Sequence, residues 1–119
     1  MAYVISDAIR QITKDNSLMQ EMLDSGKLLP EDAKNFPYKN VITRALGIEE
    51  HIEIDFSDVV LFEGEKLLLC SDGLTNYLSD EEILSIVNDS DTESVSEKLV
   101  EAANRNGGGD NITVVVITK

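Results

Sequence analysis

The sequence has a single cysteine, few aromatic residues and no long apolar run. One cysteine, Cys70, excludes an internal disulfide and fits a reducing compartment such as the cytoplasm. With three Tyr, three Phe and no Trp, the core must consist mainly of aliphatic side chains. No apolar run approaches the roughly 20 residues that a membrane-spanning helix requires, so we expect no membrane partner for this segment.

Basic residues are also scarce. Ten Lys and Arg stand against 23 Asp and Glu, which gives a net charge of −13. Such a chain repels phosphate backbones and anionic membrane surfaces, so nucleic acid is not an expected partner. The charge is compatible with binding of divalent cations, although solubility alone is the stronger explanation for it.

The pattern of apolar residues predicts an α+β chain. A half-buried strand is predicted over residues 51–61, where Ile52, Ile54 and Phe56 alternate with polar residues. The continuous apolar run 66–71 predicts a central strand covered on both faces. The other predicted elements are a hairpin over 2–13, a helix capped by Asp15, Asn16 or Ser17 and closed by Gly26, a short helix from Pro30, a connector over 39–47 with a small apolar core, a helix opened by a capping box at Ser79 and Glu82, a helix capped by Asp91 or Thr92, and a strand over 112–117.

Two acidic residues stand beside glycines at strand ends. Asp72 follows the strand 66–71 and precedes Gly73, and Asp110 follows Gly109 and precedes the strand 112–117. If these strands are antiparallel neighbours, both carboxylates share one edge of a sheet. Hard cations such as Mg²⁺ and Mn²⁺ prefer oxygen ligands, and glycine allows close approach and sharp turns. Asp-Gly is also a common turn pair, so a metal site and an ordinary turn both remain open here.

Three stretches resemble one family. "LLLCSDGLTNYLSDEEI" is similar to the Ser-Asp-Gly-Leu motif of the metal-dependent serine/threonine phosphatases, the type-2C or PPM family. "NGGGDNITVVVI" resembles its closing Gly-Gly-x-Asp-Asn motif, and residues 12–47 resemble the intervening segment of bacterial members, with their flap and Arg-Ala-Leu-Gly connector. The resemblance implies part of an antiparallel β-sandwich flanked by helices, a four-layer α/β/β/α fold.

The resemblance also implies a function. The complete enzyme uses two or more Mg²⁺ or Mn²⁺ ions to dephosphorylate phosphoserine and phosphothreonine proteins, which include a serine/threonine kinase and its targets. Asp72 and Asp110 match metal ligands of the family, while Gly73 and Asn111 shape the site. No catalytic residue is expected in this chain itself, and Thr43 and Arg44 match the connector beside the flap rather than metal ligands.

The family's other metal motifs, Arg-x-x-Asn-Glu-Asp and Asp-Gly-x-Gly-Gly, are absent from the sequence. We therefore expect residues 1–119 to form a single partial domain, the C-terminal half of a phosphatase, with a flap-like segment at about 17–47. Its partner is then the missing N-terminal half, and the chain alone is expected to be inactive. Exposed apolar strand edges and faces should follow.

Two other functions remain open. The chain can be a truncated phosphatase-like binding or regulatory module without catalysis, or a generic acidic metal-binding domain. Nucleophilic catalysis by Ser6 or Ser71 is not expected, because neither has a nearby His and acid. His51, the only histidine, is expected to be solvated.

Overall fold

An antiparallel sheet of four strands, ordered β2-β1-β3-β4, organises the larger of two units in the chain. The computed structural model describes all 119 residues. The larger unit combines Met1–Thr13 with Ser57–Lys119, and the smaller is Lys14–Phe56. The strands are β1 (Ala2–Ile5), β2 (Ile9–Gln11), β3 (Lys66–Cys70) and β4 (Val114–Thr118).

Strand pairing confirms the predicted hairpin and the central strand. In the β1–β2 hairpin, Ile5 pairs with Ile9, and the amide of Ser6 donates to the carbonyl of Ala8 at 2.9 Å. β3 lies between β1 and β4 and is antiparallel to both, with Leu68 opposite Tyr3 on one side. The end of β3 therefore lies beside the start of β4, and the start of β3 lies beside the end of β4.

Helices cover one face of this sheet. α2 (Asp72–Thr75), α3 (Asp80–Asp89) and α4 (Val95–Arg105) follow β3 in the chain. Leu68 of β3 is fully buried, and the helix residues packed with it in one core are mainly aliphatic, as the composition predicts. The buried members of this core are Tyr3, Ile5, Leu68, Cys70, Leu74, Leu78, Ile83, Val87, Val95, Leu99, Ala102 and Ala103.

The opposite face is open along β3 and β4, so the prediction that β3 is covered on both faces is wrong. Successive side chains of a strand point to opposite faces, and the helices of this unit pack on the Leu68 face only. Leu69, Val115 and Ile117 are consequently 38%, 48% and 44% exposed. The open face does not extend to β1, because Val4 of β1 is buried.

Helix starts follow the predicted capping chemistry in two of three cases. Ser17 caps α1 (Leu18–Asp24), and its hydroxyl accepts from the amide of Gln20 at 3.2 Å. At α3 the capping box is complete, since Ser79 and Glu82 each accept from the other's amide. α4 differs, because residues 92–94 form a turn first and Ser94 occupies the N-cap position.

None of the helices combines the length and apolar character that crossing a bilayer requires.

The smaller unit contains no buried residue and is less regular. It contains α1 and a 3-10 helix at Pro30–Asn35, which ends before Pro37 as predicted. Lys14 forms an ion pair with Asp24, and this pairing raises the pKa of Lys14 and lowers that of Asp24. The predicted apolar core of the connector is wrong, because Leu46 is 88% exposed.

The predicted strand over residues 51–61 is also wrong. The segment has no ladder partner and contains neither helix nor strand. Ile54 and Phe56, which the alternation places on a buried face, are 66% and 89% exposed. An alternating pattern forms a strand only where a second strand takes up its backbone hydrogen bonds, and the sheet offers none here.

Candidate metal site

Asp72 stands where β3 passes into α2. It is the first residue of this four-residue helix, and Ser71 precedes it in extended conformation at the N-cap. The carbonyl of Asp72 accepts from the amide of Asn76 at 2.9 Å, and its side chain is exposed. Backbone hydrogen bonds thus hold this acidic residue at the end of a buried strand, with its carboxylate toward solvent.

Asp110 stands just ahead of β4. It follows the loop Gly107–Gly109, and its carboxylate accepts from the amide of Asn111 at 2.7 Å. Cys70, the last residue of β3, pairs with Val114, the first residue of β4. Because the two strands are antiparallel, Asp72 and Asp110 lie at the same edge of the sheet, as the sequence predicts. This edge is the one where β3 ends and β4 begins.

Ser71 ties the two strand ends together at this edge. Its hydroxyl donates to the carbonyl of Asn111 at 3.2 Å and accepts from the amide of Thr113 at 3.0 Å. The amide of Ser71 also donates to the carbonyl of Thr113 at 3.0 Å. Sequence reasoning considered Ser71 only as a nucleophile. Its structural role follows from the register of two strands that are distant in sequence.

Gly73 is required by a close backbone approach rather than by an unusual backbone angle, since its φ is not positive. A Cβ at this position would overlap the carbonyl oxygen of Asn111 and would lie 3.4 Å from the Cα of Ile112. Asn111 therefore shapes this edge through its backbone, which packs on Gly73 and bonds to Ser71.

The donor set suits a hard cation but supplies few ligands. Nowhere in the chain do three or more His, Cys, Asp or Glu side chains form a group that could hold a metal ion. The edge therefore offers the two carboxylates of Asp72 and Asp110. Mg²⁺ is commonly held by one or two carboxylates while water completes its shell, so the chemistry of these donors fits, with most coordination positions left to other groups.

Other reactive side chains do not join this edge. Cys70 is buried in the core, and burial raises the pKa of its thiol, which makes it a packed and unreactive group. His51 is exposed, as expected, and lines a cavity of about 220 Å³ in the smaller unit. Arg44 lines the same cavity and forms ion pairs with Glu53 and Asp55, which agrees with a structural role for Arg44.

Comparison with known families identifies the class of protein. The family model for "Protein phosphatase 2C" matches residues 62–112, which include Asp72, Gly73 and Asp110. Together with the relatives described next, this match shows that the chain is similar to part of the serine/threonine phosphatases of the PPM family.

The individual relatives are bacterial phosphatases. Protein phosphatase PhpP of Streptococcus pneumoniae is 47% identical over 109 residues, which cover 91% of this chain and 44% of PhpP. The serine/threonine phosphatase of S. agalactiae superposes with a TM-score of 0.91 at 33% identity, over 99% of this chain and 50% of that one. The catalytic domain of phosphatase PstP, in complex with two manganese ions, superposes with a TM-score of 0.74 at 38% identity, over 97% and 47%. The chain thus spans about half the length of these relatives.

Proposed function

We propose that this chain supplies two metal-binding carboxylates, Asp72 and Asp110, to an Mg²⁺- or Mn²⁺-dependent phosphatase that hydrolyses phosphoserine and phosphothreonine in proteins. One observation carries the proposal: antiparallel pairing of β3 and β4 brings both carboxylates to one edge of the sheet. Similarity to the PPM family and the manganese bound by PstP support the reaction class and the metal.

The residues at this edge have different roles. Asp72 and Asp110 provide anionic oxygen ligands, Ser71 fixes the two strand ends, and Gly73 leaves room for the Asn111 backbone. Bound divalent ions would supply Lewis-acid chemistry for phosphoryl transfer, activating water and neutralising charge. This chain contributes ligands and their geometry, with no catalytic acid or base of its own.

The complete site requires a second part of the domain. Two carboxylates leave the coordination of paired ions unfinished. We propose that the complementary, N-terminal half of a phosphatase domain packs on the open face that Leu69, Val115 and Ile117 form. These side chains are 38–48% exposed, and sheet faces of this kind pack at about 10 Å against a second sheet. The isolated chain is then inactive.

The remaining parts of the proposal concern the setting. The substrates are phosphoproteins, including a serine/threonine kinase and its targets, and the chain comes from a bacterium. We place it in the cytoplasm because its one cysteine is a buried free thiol, which fits a reducing compartment.

Titration of Mn²⁺ into the chain, followed by electron paramagnetic resonance of the free ion, tests the ligands. We expect Asp72→Asn and Asp110→Asn each to weaken binding by about tenfold or more, because each removes an anionic ligand. Asp80→Asn is the matched control, since Asp80 is an exposed acid at the start of a different helix, α3. Equal binding by all four proteins would refute the assignment.

A mixing experiment tests the reaction. The complementary half of PhpP is combined with this chain, and hydrolysis of a phosphoserine peptide is measured with Mn²⁺. Metal-dependent activity that Asp110→Asn abolishes supports the proposal. Stable association of the two halves without activity would instead favour a binding or regulatory module.

A further inference from the structure

Tyr77 packs against the loop that leads to Asp110. It lies two residues beyond the end of α2 and is half-buried. A Cβ at Gly107 would lie 3.1 Å from the Cε1 atom of its ring, and a Cβ at Gly109 would overlap its hydroxyl oxygen. The ring therefore lies directly beside both ends of this three-glycine loop.

Hydrogen bonds fix the same loop to its neighbours. The side-chain amide of Asn106 donates to the carbonyl of Tyr77 at 2.9 Å, and the amide of Gly108 donates to the carbonyl of Ala103 at 3.1 Å. Gly107 and Gly108 have φ angles of +135° and +51°, which favour glycine. The path of the loop is thus set by α4 on one side and by Tyr77 on the other.

We propose that Tyr77 is a positioning residue that fixes the location of Asp110 relative to Asp72. The segment from Asp72 to Tyr77 is short and is held by two backbone hydrogen bonds, from the amide of Asn76 to the carbonyl of Asp72 at 2.9 Å and from the amide of Tyr77 to the carbonyl of Leu74 at 3.1 Å, so the positions of its two ends are coupled. One end carries the first carboxylate, and the other holds the loop that carries the second. This inference rests on the proposed function for its metal readout, but the contact itself can be tested without metal.

Gly109 makes a double-mutant cycle possible. Gly109→Ala adds a methyl group where the Tyr77 hydroxyl lies, and the φ of Gly109 is not positive, so alanine is otherwise allowed. Tyr77→Phe removes that hydroxyl, after which the nearest ring atom lies 3.4 Å from the new methyl, an ordinary contact distance. The two substitutions should therefore compensate each other.

The metal-free chain provides the first readout, amide hydrogen exchange at Gly108. We expect Gly109→Ala to accelerate exchange about fivefold or more when Tyr77 is present. In the Tyr77→Phe background the same substitution should accelerate exchange by less than about twofold, because the effects of substitutions at contacting residues are not additive. Tyr77→Phe alone keeps the ring and should match the parent. Equal acceleration by Gly109→Ala in both backgrounds would overturn the inference, and exchange at Leu99 in the core reports whether each variant remains folded.

Mn²⁺ affinity provides the second readout. Tyr77→Ala should weaken binding about fivefold, Tyr77→Phe should leave it unchanged, and Gly109→Ala should weaken it only when Tyr77 is present. Unchanged affinity in folded Tyr77→Ala, in a chain whose binding depends on Asp110, would overturn the positioning role. If the parent chain's Mn²⁺ binding does not depend on Asp72 and Asp110, the proposed function fails, while the exchange cycle still decides whether Tyr77 seats the loop.

Discussion

Gly73→Ala should destabilise the protein, although Gly73 lies in a helix, where alanine is normally favoured. Helix propensity alone predicts a gain of about 1 kcal/mol on replacing glycine with alanine. Here the added Cβ would overlap the carbonyl oxygen of Asn111 and lie 2.9 Å from its carbonyl carbon. Both atoms belong to the backbone, so no side-chain rotation relieves the overlap. The sign of the change therefore separates the two effects.

The magnitude follows from what must move. Overpacking of a close contact costs about 1–3 kcal/mol. A shift of Asn111 also strains the three hydrogen bonds between Ser71 and residues 111 and 113. Loss of the equivalent of one such bond adds about 0.5–1.5 kcal/mol, and the helix-propensity gain offsets about 1 kcal/mol, so we expect Gly73→Ala to lower the free energy of unfolding by about 0.5–3.5 kcal/mol.

Urea unfolding followed by circular dichroism measures this change. Ser71→Ala is the companion variant, because it removes two of those hydrogen bonds without adding volume to the contact. The double variant should lose less than the sum of the two single losses, since both act on the same contact. Gly73→Ala with stability equal to or above the parent would refute the close approach of Asn111.

Three further outcomes follow from the fold. Ser79→Ala should cost about 1 kcal/mol in urea unfolding because it removes the α3 cap, whereas Ser85→Ala, on the exposed face of α3, should stay within about 0.5 kcal/mol. The Ser79 amide lowers the pKa of Glu82 below its ordinary 4.5. The ionised Glu82 therefore stabilises the fold above pH 4.5, and this stabilisation is lost as pH falls through the lowered pKa. In Glu82→Gln the thermal midpoint should consequently depend less on pH below pH 4.5. Leu99→Ala, at a fully buried position, should cost about 2–5 kcal/mol in thermal unfolding, and Leu46→Ala, at a position 88% exposed, about 0.5 kcal/mol or less.

Local chemistry made much of the fold predictable. Helix capping depends on residues within one helical turn, and the structure confirms the Ser79 capping box and selects Ser17 from the three candidate caps of α1. The shared edge of Asp72 and Asp110 follows from one assumption, antiparallel pairing of two β-rich runs, which is also confirmed. The start of α4 was missed because several residues near Asp91 are acceptable caps, and the choice among them depends on packing.

Non-local contacts account for what the sequence could not predict at the site. The need for glycine at position 73 arises from the Asn111 backbone, 38 residues later in the chain. The packing of Tyr77 on Gly107 and Gly109 likewise joins segments about 30 residues apart. Spacing within a motif carries no information about such approaches, since they depend on how strands and helices pack.

The two wrong predictions about strands have one physical reason. Hydrophobic patterning specifies which side chains need cover, but the cover itself must come from another element. Within residues 54–62, four large apolar side chains are 66–89% exposed: Ile54, Phe56, Val60 and Phe62. Burying one such side chain contributes about 1.5–3 kcal/mol, so exposure of the four forgoes on the order of 5 kcal/mol. That loss is comparable to the entire stability of many domains. A partner that buries this segment would therefore have a large effect on stability, which is the physical ground for testing the proposed complementary half before the activity of this chain is judged.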